Sequence, residues 1–306
     1  MVWLNFLDTT FDKIFSSKIR NKIERYILLA SILGFIIHLI LIYVNNYDIL
    51  NIKFSGSLLI DPISAIYTPF SIILFYETYL LIFYLPRSFT TAISKQFEII
   101  SLIVIRKIFS DIPKINLNTN WLESPPNMQL IYDLFGIIIL FFLIYLFNLI
   151  KEKNPTKPIT DNIKRFISTK KGVSIVLLPL LIIMSIHSAG NWIYELYLVN
   201  EKIISVGFSD INSIFYNEFF TILILADVFI LLLSFQYTEK YSQLIRNTGF
   251  VICTILIRLS FASKGLTNIL LIVSSVLFGL IILKIYQAFE KKYLIFSLAS
   301  YKCIFK

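Results

Sequence analysis

Long hydrophobic runs separated by short polar stretches dominate this amino-acid sequence. Each run approaches the roughly 20 helical residues that are needed to cross a ~30 Å hydrocarbon core. The pattern therefore predicts an all-α, polytopic membrane bundle of about eight transmembrane helices. The predicted spans cover residues 26–46, 62–86, 93–112, 129–150, 173–198, 217–237, 247–263 and 266–289.

The composition agrees with this prediction. Hydrophobic residues make up 57% of the 306-residue chain, and the mean hydropathy is +0.77, a balance that ordinary soluble domains do not reach. The first apolar run, from Tyr26 to Val44, is longer than the core of a cleavable signal peptide. We therefore expect it to be retained as the first span.

Lysine and arginine residues are distributed unevenly between the two sides of the predicted bundle. With a cytoplasmic N-terminus, 21 of the 28 lie in cytoplasmic segments, 4 in outside segments and 3 within spans. Because cytoplasmic loops carry the excess of Lys and Arg, we expect both termini in the cytoplasm. The net charge of +9 then reflects topology and favours anionic lipid at the cytoplasmic face, rather than nucleic acid, as a partner.

The polar residues within the spans indicate a tandem duplication. Four spans per half give both halves the same orientation, so the repeat is parallel, with an axis along the membrane normal. A histidine, an acid, an arginine and a glycine follow in the same order on successive spans of each half. They are His38, Glu77, Arg106 and Gly136 in the first half and His187, Asp227, Arg258 and Gly279 in the second.

Five segments follow from the spans and the repeat. An amphipathic segment at the start has aromatic residues near helical spacing, with lysines elsewhere, which is typical of a helix lying on the cytoplasmic leaflet; a partner-binding helix is the alternative. The segments are 1–25 (interfacial), 26–150 (first repeat), 151–172 (basic cytoplasmic linker), 173–290 (second repeat) and 291–306 (basic cytoplasmic tail).

The intramembrane charges are predicted to pair within each half. Glu77 and Arg106 each lie about nine residues from the inner end of spans that share a cytoplasmic hairpin, or roughly 13 Å deep at 1.5 Å per residue. Asp227 and Arg258 repeat this arrangement. Such pairs either hold each bundle in register or line a hydrated pathway. Gly136 and Gly279 are predicted to allow close approach of helices.

The two histidines, His38 and His187, are the only ones in the chain and fall near mid-depth of equivalent spans. Three roles fit: a hydrogen-bonded side chain inside the bundle, a titrating group in a proton or ion path, or a pair of axial haem ligands between the halves. We expect no cofactor and no metal site, and haem bound through His38 and His187 is the alternative.

No catalytic motif such as a P-loop or HExxH is present in the sequence, so we do not expect an enzyme. The predicted function is a pathway for ions, protons or small solutes, with His38, Glu77, Arg106, His187, Asp227 and Arg258 in its polar layer. The alternatives are a non-transporting anchor that recruits a partner to the cytoplasmic face and an intramembrane haem redox subunit.

The expected partners are the bilayer, a small ion or proton, and a second copy or partner subunit. The expected location is the plasma membrane, as a bacterial inner-membrane protein.

Overall fold

The computed structural model describes residues 2–47, 62–112, 115, 121, 124–152, 161–198, 209–237, 240–263 and 265–304. These residues form helices and turns, with no strand among them. A short 3-10 helix, Pro62–Ile66, precedes α3. The α-helices are α1 (Val2–Ile14), α2 (Ser17–Asn46), α3 (Tyr67–Tyr84), α4 (Phe89–Asp111), α5 (Pro125–Glu152), α6 (Asp161–Leu198), α7 (Ser209–Tyr237), α8 (Tyr241–Phe261) and α9 (Leu266–Ile304).

Seven helices in the described part of the chain are long and apolar enough to cross a membrane. That number of apolar helices identifies a multi-pass membrane protein. The seven correspond to the predicted spans except the third. Residues 93–112 are helical as predicted, but α4 is not among the seven, because it carries Lys95, Glu98, Arg106 and Lys107. Seven of the eight predicted spans thus coincide with helices that can cross a membrane, and the eighth span stays a prediction.

Helix α4 occupies the interior of the bundle, packed against α3, α5 and α8. Its buried residues, at 92–94, 96–97, 99–101, 103–104, 106 and 108, cover about two thirds of the circumference of a helix of 3.6 residues per turn. The remaining face, at 91, 95, 98, 102, 105 and 109, is exposed or half-buried. Helix α8 is the second interior helix, packed against α4, α7 and α9. The outer helices α2 and α5 instead expose rows of large apolar side chains, as a lipid-facing surface requires.

The N-terminal segment differs from a helix that lies only on lipid. Helix α1 ends at Ile14, and the hydroxyl of Ser16 accepts a hydrogen bond from the backbone N–H of Ile19 to cap α2. Helix α1 packs along α6, and Phe15 stacks on Tyr79 of α3, 5.9 Å between centroids. The predicted interfacial segment 1–25 is thus divided between α1, bound to protein, and the start of α2.

The predicted linker and tail are more helical than the sequence indicated. Helix α6 begins at Asp161, so the second part of the 151–172 segment belongs to it, whereas 153–160 lie outside the described residues. Helix α9 continues to Ile304, through most of the predicted tail. The four predicted outside lysines, Lys53, Lys114, Lys202 and Lys264, also fall outside the described residues.

The predicted close-packing glycines lie where α9 meets its neighbours. A Cβ atom on Gly136 of α5 would come within 2.5 Å of Ile269 Cγ2 on α9. A Cβ on Gly279 of α9 would come within 3.0 Å of the ring of Phe97 on α4. Both contacts are tighter than a side chain tolerates, so hydrogen at these two positions allows α9 to approach α4 and α5 closely.

Candidate functional site

Two buried ion pairs join neighbouring helices in the bundle interior. Arg106 of α4 pairs with Glu77 of α3. Arg258 of α8 pairs with Asp227 of α7, with Nη1 and Oδ2 2.8 Å apart. All four side chains are buried. The structure therefore contains both acid–arginine pairs that the sequence predicts, each between two helices that follow one another in the chain. Whether they line a pathway stays a prediction.

The first pair is reinforced by the backbone of α3. Nη1 of Arg106 donates a hydrogen bond of 2.8 Å to the carbonyl oxygen of Phe70. The guanidinium group thus contacts α3 at two places, one near Glu77 and one about two turns earlier. A planar guanidinium with several donors suits such a double contact, and it fixes α4 against α3.

A third buried acid, Asp133 of α5, lies on the other side of α4. Its side chain is 0% exposed, and its Oδ2 is 3.7 Å from Nζ of Lys107 on α4. Its Oδ1 accepts a hydrogen bond of 2.8 Å from Gln129 one turn earlier. The sequence-based polar layer omitted Asp133, because the repeat aligns it with Val276, and so no counterpart drew attention to it.

A polar cluster also binds α4 to α5 toward the start of α4. Ser94 donates a hydrogen bond of 2.7 Å to Oδ1 of Asn148, and the amide of Asn148 donates to Glu98 at 3.3 Å. Lys151 at the end of α5 donates to the hydroxyl of Ser94 at 3.0 Å. Together with Arg106 and Lys107, these contacts direct most of the polar side chains of α4 toward protein rather than toward lipid.

The two histidines lie in different surroundings. His38 is partly buried on α2, with Nδ1 2.5 Å from the hydroxyl oxygen of Thr68 on α3, whereas His187 on α6 is exposed. Within the described residues, no group of three or more His, Cys, Asp or Glu side chains is arranged to hold a metal ion. Haem ligation by His38 and His187 stays a prediction.

Lys170 of α6 is a buried cation that the sequence did not reveal. Its side chain is 2% exposed, and Nζ donates a hydrogen bond of 2.6 Å to the carbonyl oxygen of Arg87 in the turn between α3 and α4. The ammonium group also lies over the rings of Phe89 and Phe166, 4.8 Å and 5.7 Å from their centroids. Cation–π contacts of this kind stabilise an ammonium group away from water.

The next residue, Lys171, has a different role. It is less buried and pairs with Asp8 and Asp12 of α1, at 3.2 Å and 3.0 Å. The sequence gave no means to distinguish the two lysines, since both fall in the predicted basic linker. In the structure both lysines belong to α6, which begins at Asp161. Lys170 points into the bundle, whereas Lys171 points toward α1.

A small cavity connects Lys170 to the second ion pair. Its volume is about 30 Å³, which is sufficient for a water molecule with polar partners. It lies among α4, α6, α7 and α8, and neither Glu77 nor Arg106 lines it. The lining residues are Leu85, Phe89, Ala92, Ile93, Gln96, Lys170, Asp227, Ile230, Phe250, Val251 and Thr254.

Comparisons of the chain with family models, with curated proteins and with solved structures find no match. The function of the bundle must therefore be inferred from the chemistry of its own buried charges.

Proposed function

We propose that this protein forms a transmembrane pathway for ions, protons or small solutes, lined by paired intramembrane charges. The observation that carries the proposal is the buried Asp227–Arg258 pair beside a water-sized cavity that also contacts Lys170. An ionised side chain at the centre of a span costs about 2.5–3.5 kcal/mol on insertion scales. A packed apolar bundle does not require these charges together with a water-sized space.

The proposal includes an architecture of eight spans in two parallel four-helix halves, with both termini in the cytoplasm of a bacterial cell. Support for the eighth span comes from the polar side chains of α4. They bind α3 and α5, and helices on several sides cover α4, so its low hydropathy is compatible with crossing the membrane. Support for the two halves comes from equivalent ion pairs between α3 and α4 and between α7 and α8.

Reconstitution into proteoliposomes tests the pathway. We expect flux of at least one of H⁺, Na⁺, K⁺ or Cl⁻ above that of empty liposomes. Glu77→Gln and Asp227→Asn each remove one acid of a buried pair, so each should lower that flux about tenfold or more. The matched control is Asp161→Asn, which removes an exposed acid that pairs with Lys164 on the protein surface, and it should leave the flux unchanged.

Two results would contradict the pathway. The first is a wild-type flux equal to that of empty liposomes for all four ions. The second is a flux that survives both substitutions, while the thermal midpoint of the purified protein falls. In that case the pairs serve only to hold the helices together.

A second candidate is a non-transporting membrane anchor or subunit. The observation that favours it is that each buried pair joins adjacent helices of one half, which explains bundle assembly without transport. Basic residues on the proposed cytoplasmic face would then recruit a partner. Absence of flux combined with co-purification of a stoichiometric soluble protein would favour this candidate.

A further inference from the structure

We infer that the cavity between Lys170 and Asp227 holds water and exchanges protons between these two side chains, so that the ion carried by the proposed pathway is H⁺. The inference rests on the proposed function and specifies its substrate. It is carried by the cavity, by the burial of Lys170 and by the hydrogen-bonding capacity of the lining.

Lys170 has hydrogen-bonding capacity that its protein contacts do not use. An ammonium group has three N–H donors. One donates to the carbonyl oxygen of Arg87 at 2.6 Å, and the rings of Phe89 and Phe166 lie near the cation without accepting a conventional hydrogen bond. Because Lys170 lines the cavity and is 2% exposed, the cavity is the space in which a further acceptor can meet it.

The opposite side of the cavity presents acceptors. Asp227 contributes a carboxylate, which Arg258 neutralises in part from the side at 2.8 Å. The hydroxyl of Thr254 donates its hydrogen to the carbonyl oxygen of Val251 at 2.8 Å, so its oxygen offers lone pairs to the cavity. The amide of Gln96, also in the lining, presents either a donor or an acceptor.

This mixture of donors and acceptors selects water over a bare ion. A monatomic anion would face the Asp227 carboxylate and the Thr254 lone pairs. A metal cation would face the Lys170 ammonium, with Arg258 close behind. A water molecule accepts from Lys170 and donates to Asp227 and Thr254, which gives it the two to four polar partners that buried waters have. A volume of about 30 Å³ accommodates one such molecule.

Three charged side chains lie at the cavity or directly beside it. From α6 the group is Lys170, from α7 it is Asp227, and from α8 it is Arg258, which is held by Asp227. Arg246, another cation of α8 that acts on Lys170, is engaged by Asn247 and lies over the ring of Tyr286. The α3–α4 turn contributes only the Arg87 carbonyl, and α4 contributes no charged residue to the lining.

The transfer step conserves atoms and charge. The Lys170 N–H bond breaks as the water oxygen takes that proton, and an O–H bond of the same water breaks as its proton passes to the Asp227 carboxylate. The products are a neutral amine, a water molecule and a carboxylic acid, and the total charge is unchanged. To complete the cycle, Lys170 takes a proton from a hydronium ion of the bulk water on the side of the α3–α4 turn, and Asp227 gives its proton to bulk water on the other side of the membrane.

The test uses the full chain in proteoliposomes that contain a pH-sensitive dye, with a potassium–valinomycin potential to drive protons. The wild type should acidify or alkalinise the lumen according to the sign of the potential. Lys170→Met removes the donor, and Ala92→Val fills the cavity without altering any charge. Both should reduce proton flux at least tenfold. Lys171→Gln, which alters the neighbouring lysine bound to α1, should retain it.

Each result has one meaning, provided that every variant elutes as a monodisperse peak before reconstitution. Loss of proton flux in Lys170→Met and Ala92→Val, with retention in Lys171→Gln, supports the inference. Proton flux that persists in both cavity variants overturns it. Flux of Na⁺, K⁺ or Cl⁻ without H⁺ also overturns it but leaves the proposed pathway standing. Absence of flux for every ion overturns both.

Discussion

At the scale of single residues, the charged side chains of the interior are organised by their partners. Three buried acids each lie near a cation of α4 or α8, the two interior helices. They are Glu77, Asp133 and Asp227. Removing one member of a buried pair leaves a charge without its partner in a poor solvent for ions, whereas replacing both members with apolar groups is often neutral. The contribution of a pair to stability can therefore be separated from its proposed role in transport.

Arg106→Leu should lower the free energy of unfolding by about 3–5 kcal/mol, the cost of breaking a buried pair. The substitution leaves the Glu77 carboxylate without its cation and also removes the hydrogen bond to the Phe70 carbonyl. Denaturant titration of the detergent-solubilised protein measures the change.

The double variant Glu77→Leu with Arg106→Leu serves as the matched comparison and should recover most of the loss. Lys164→Leu, which breaks an exposed pair with Asp161, should change the free energy of unfolding by at most about 1 kcal/mol. An Arg106→Leu variant as stable as wild type would contradict the importance of the pair.

At the scale of helices, α4 is the element on which the proposed count of eight spans and the count of seven apolar helices differ. A transmembrane helix needs apolar side chains only where it meets lipid, and α4 meets protein on several sides. Its serines, glutamine and charged residues are therefore tolerated, although they exclude it from the apolar helices. The ion pairs to α3 and α5 hold it in place. An interior helix of this kind is expected to cross the membrane with its neighbours.

If α4 crosses the membrane, its two ends lie on opposite sides. In a background with Cys253→Ser and Cys303→Ser, we expect Arg87→Cys to react with a membrane-impermeant maleimide only from the cytoplasmic side. Trp121→Cys, which follows α4 and is exposed, should react only from the outside. Labelling of intact cells and of inverted vesicles measures this. Reaction of both positions from the same side would contradict an eighth span.

At the scale of the whole molecule, the two proposed halves meet along two pairs of helices. Helix α4 packs on α8, and α5 packs on α9. Gly136 and Gly279 lie at this junction, where Ile269 and Phe97 approach them within 2.5 Å and 3.0 Å of an added Cβ. Close packing thus shapes the junction, together with a hydrogen bond of 2.7 Å from the Gln287 amide to the carbonyl oxygen of Ile150. The acid–arginine pairs instead join helices that follow one another in the chain. Changes in volume at the junction should affect the stability of the entire bundle.

Gly136→Ala should destabilise the protein by about 1–3 kcal/mol, as overpacking of a close contact does, despite the better helix propensity of alanine. The added Cβ would overlap Ile269 Cγ2, a branched methyl close to the α9 backbone. Ile269→Ala in the same chain should recover part of the loss. Gly172→Ala, whose Cβ would meet only the flexible tip of Leu7 at 3.3 Å, should be neutral or stabilising. Equal thermal midpoints for Gly136→Ala and Gly172→Ala would contradict this reasoning.

The sequence by itself determined the class of protein and the acid–arginine pairs. The length of the apolar runs matches the thickness of a membrane. An ionisable residue inside such a run stands out because it needs a partner. The order of acid and arginine on adjacent spans therefore predicted Glu77 with Arg106 and Asp227 with Arg258. The helical nature of residues 93–112 followed in the same way.

Only the tertiary structure decided the surroundings of Lys170, Asp133 and α1. Lys170 resembles any basic residue near the end of a span until packing places it over Phe89 and beside Asp227. The partner of Asp133 is Lys107 on another helix. Helix α1 is bound to α6 through Lys171 rather than lying on lipid alone. The physical reason is common to all three: burial and pairing depend on which faces of distant helices meet, and local hydropathy does not record those contacts.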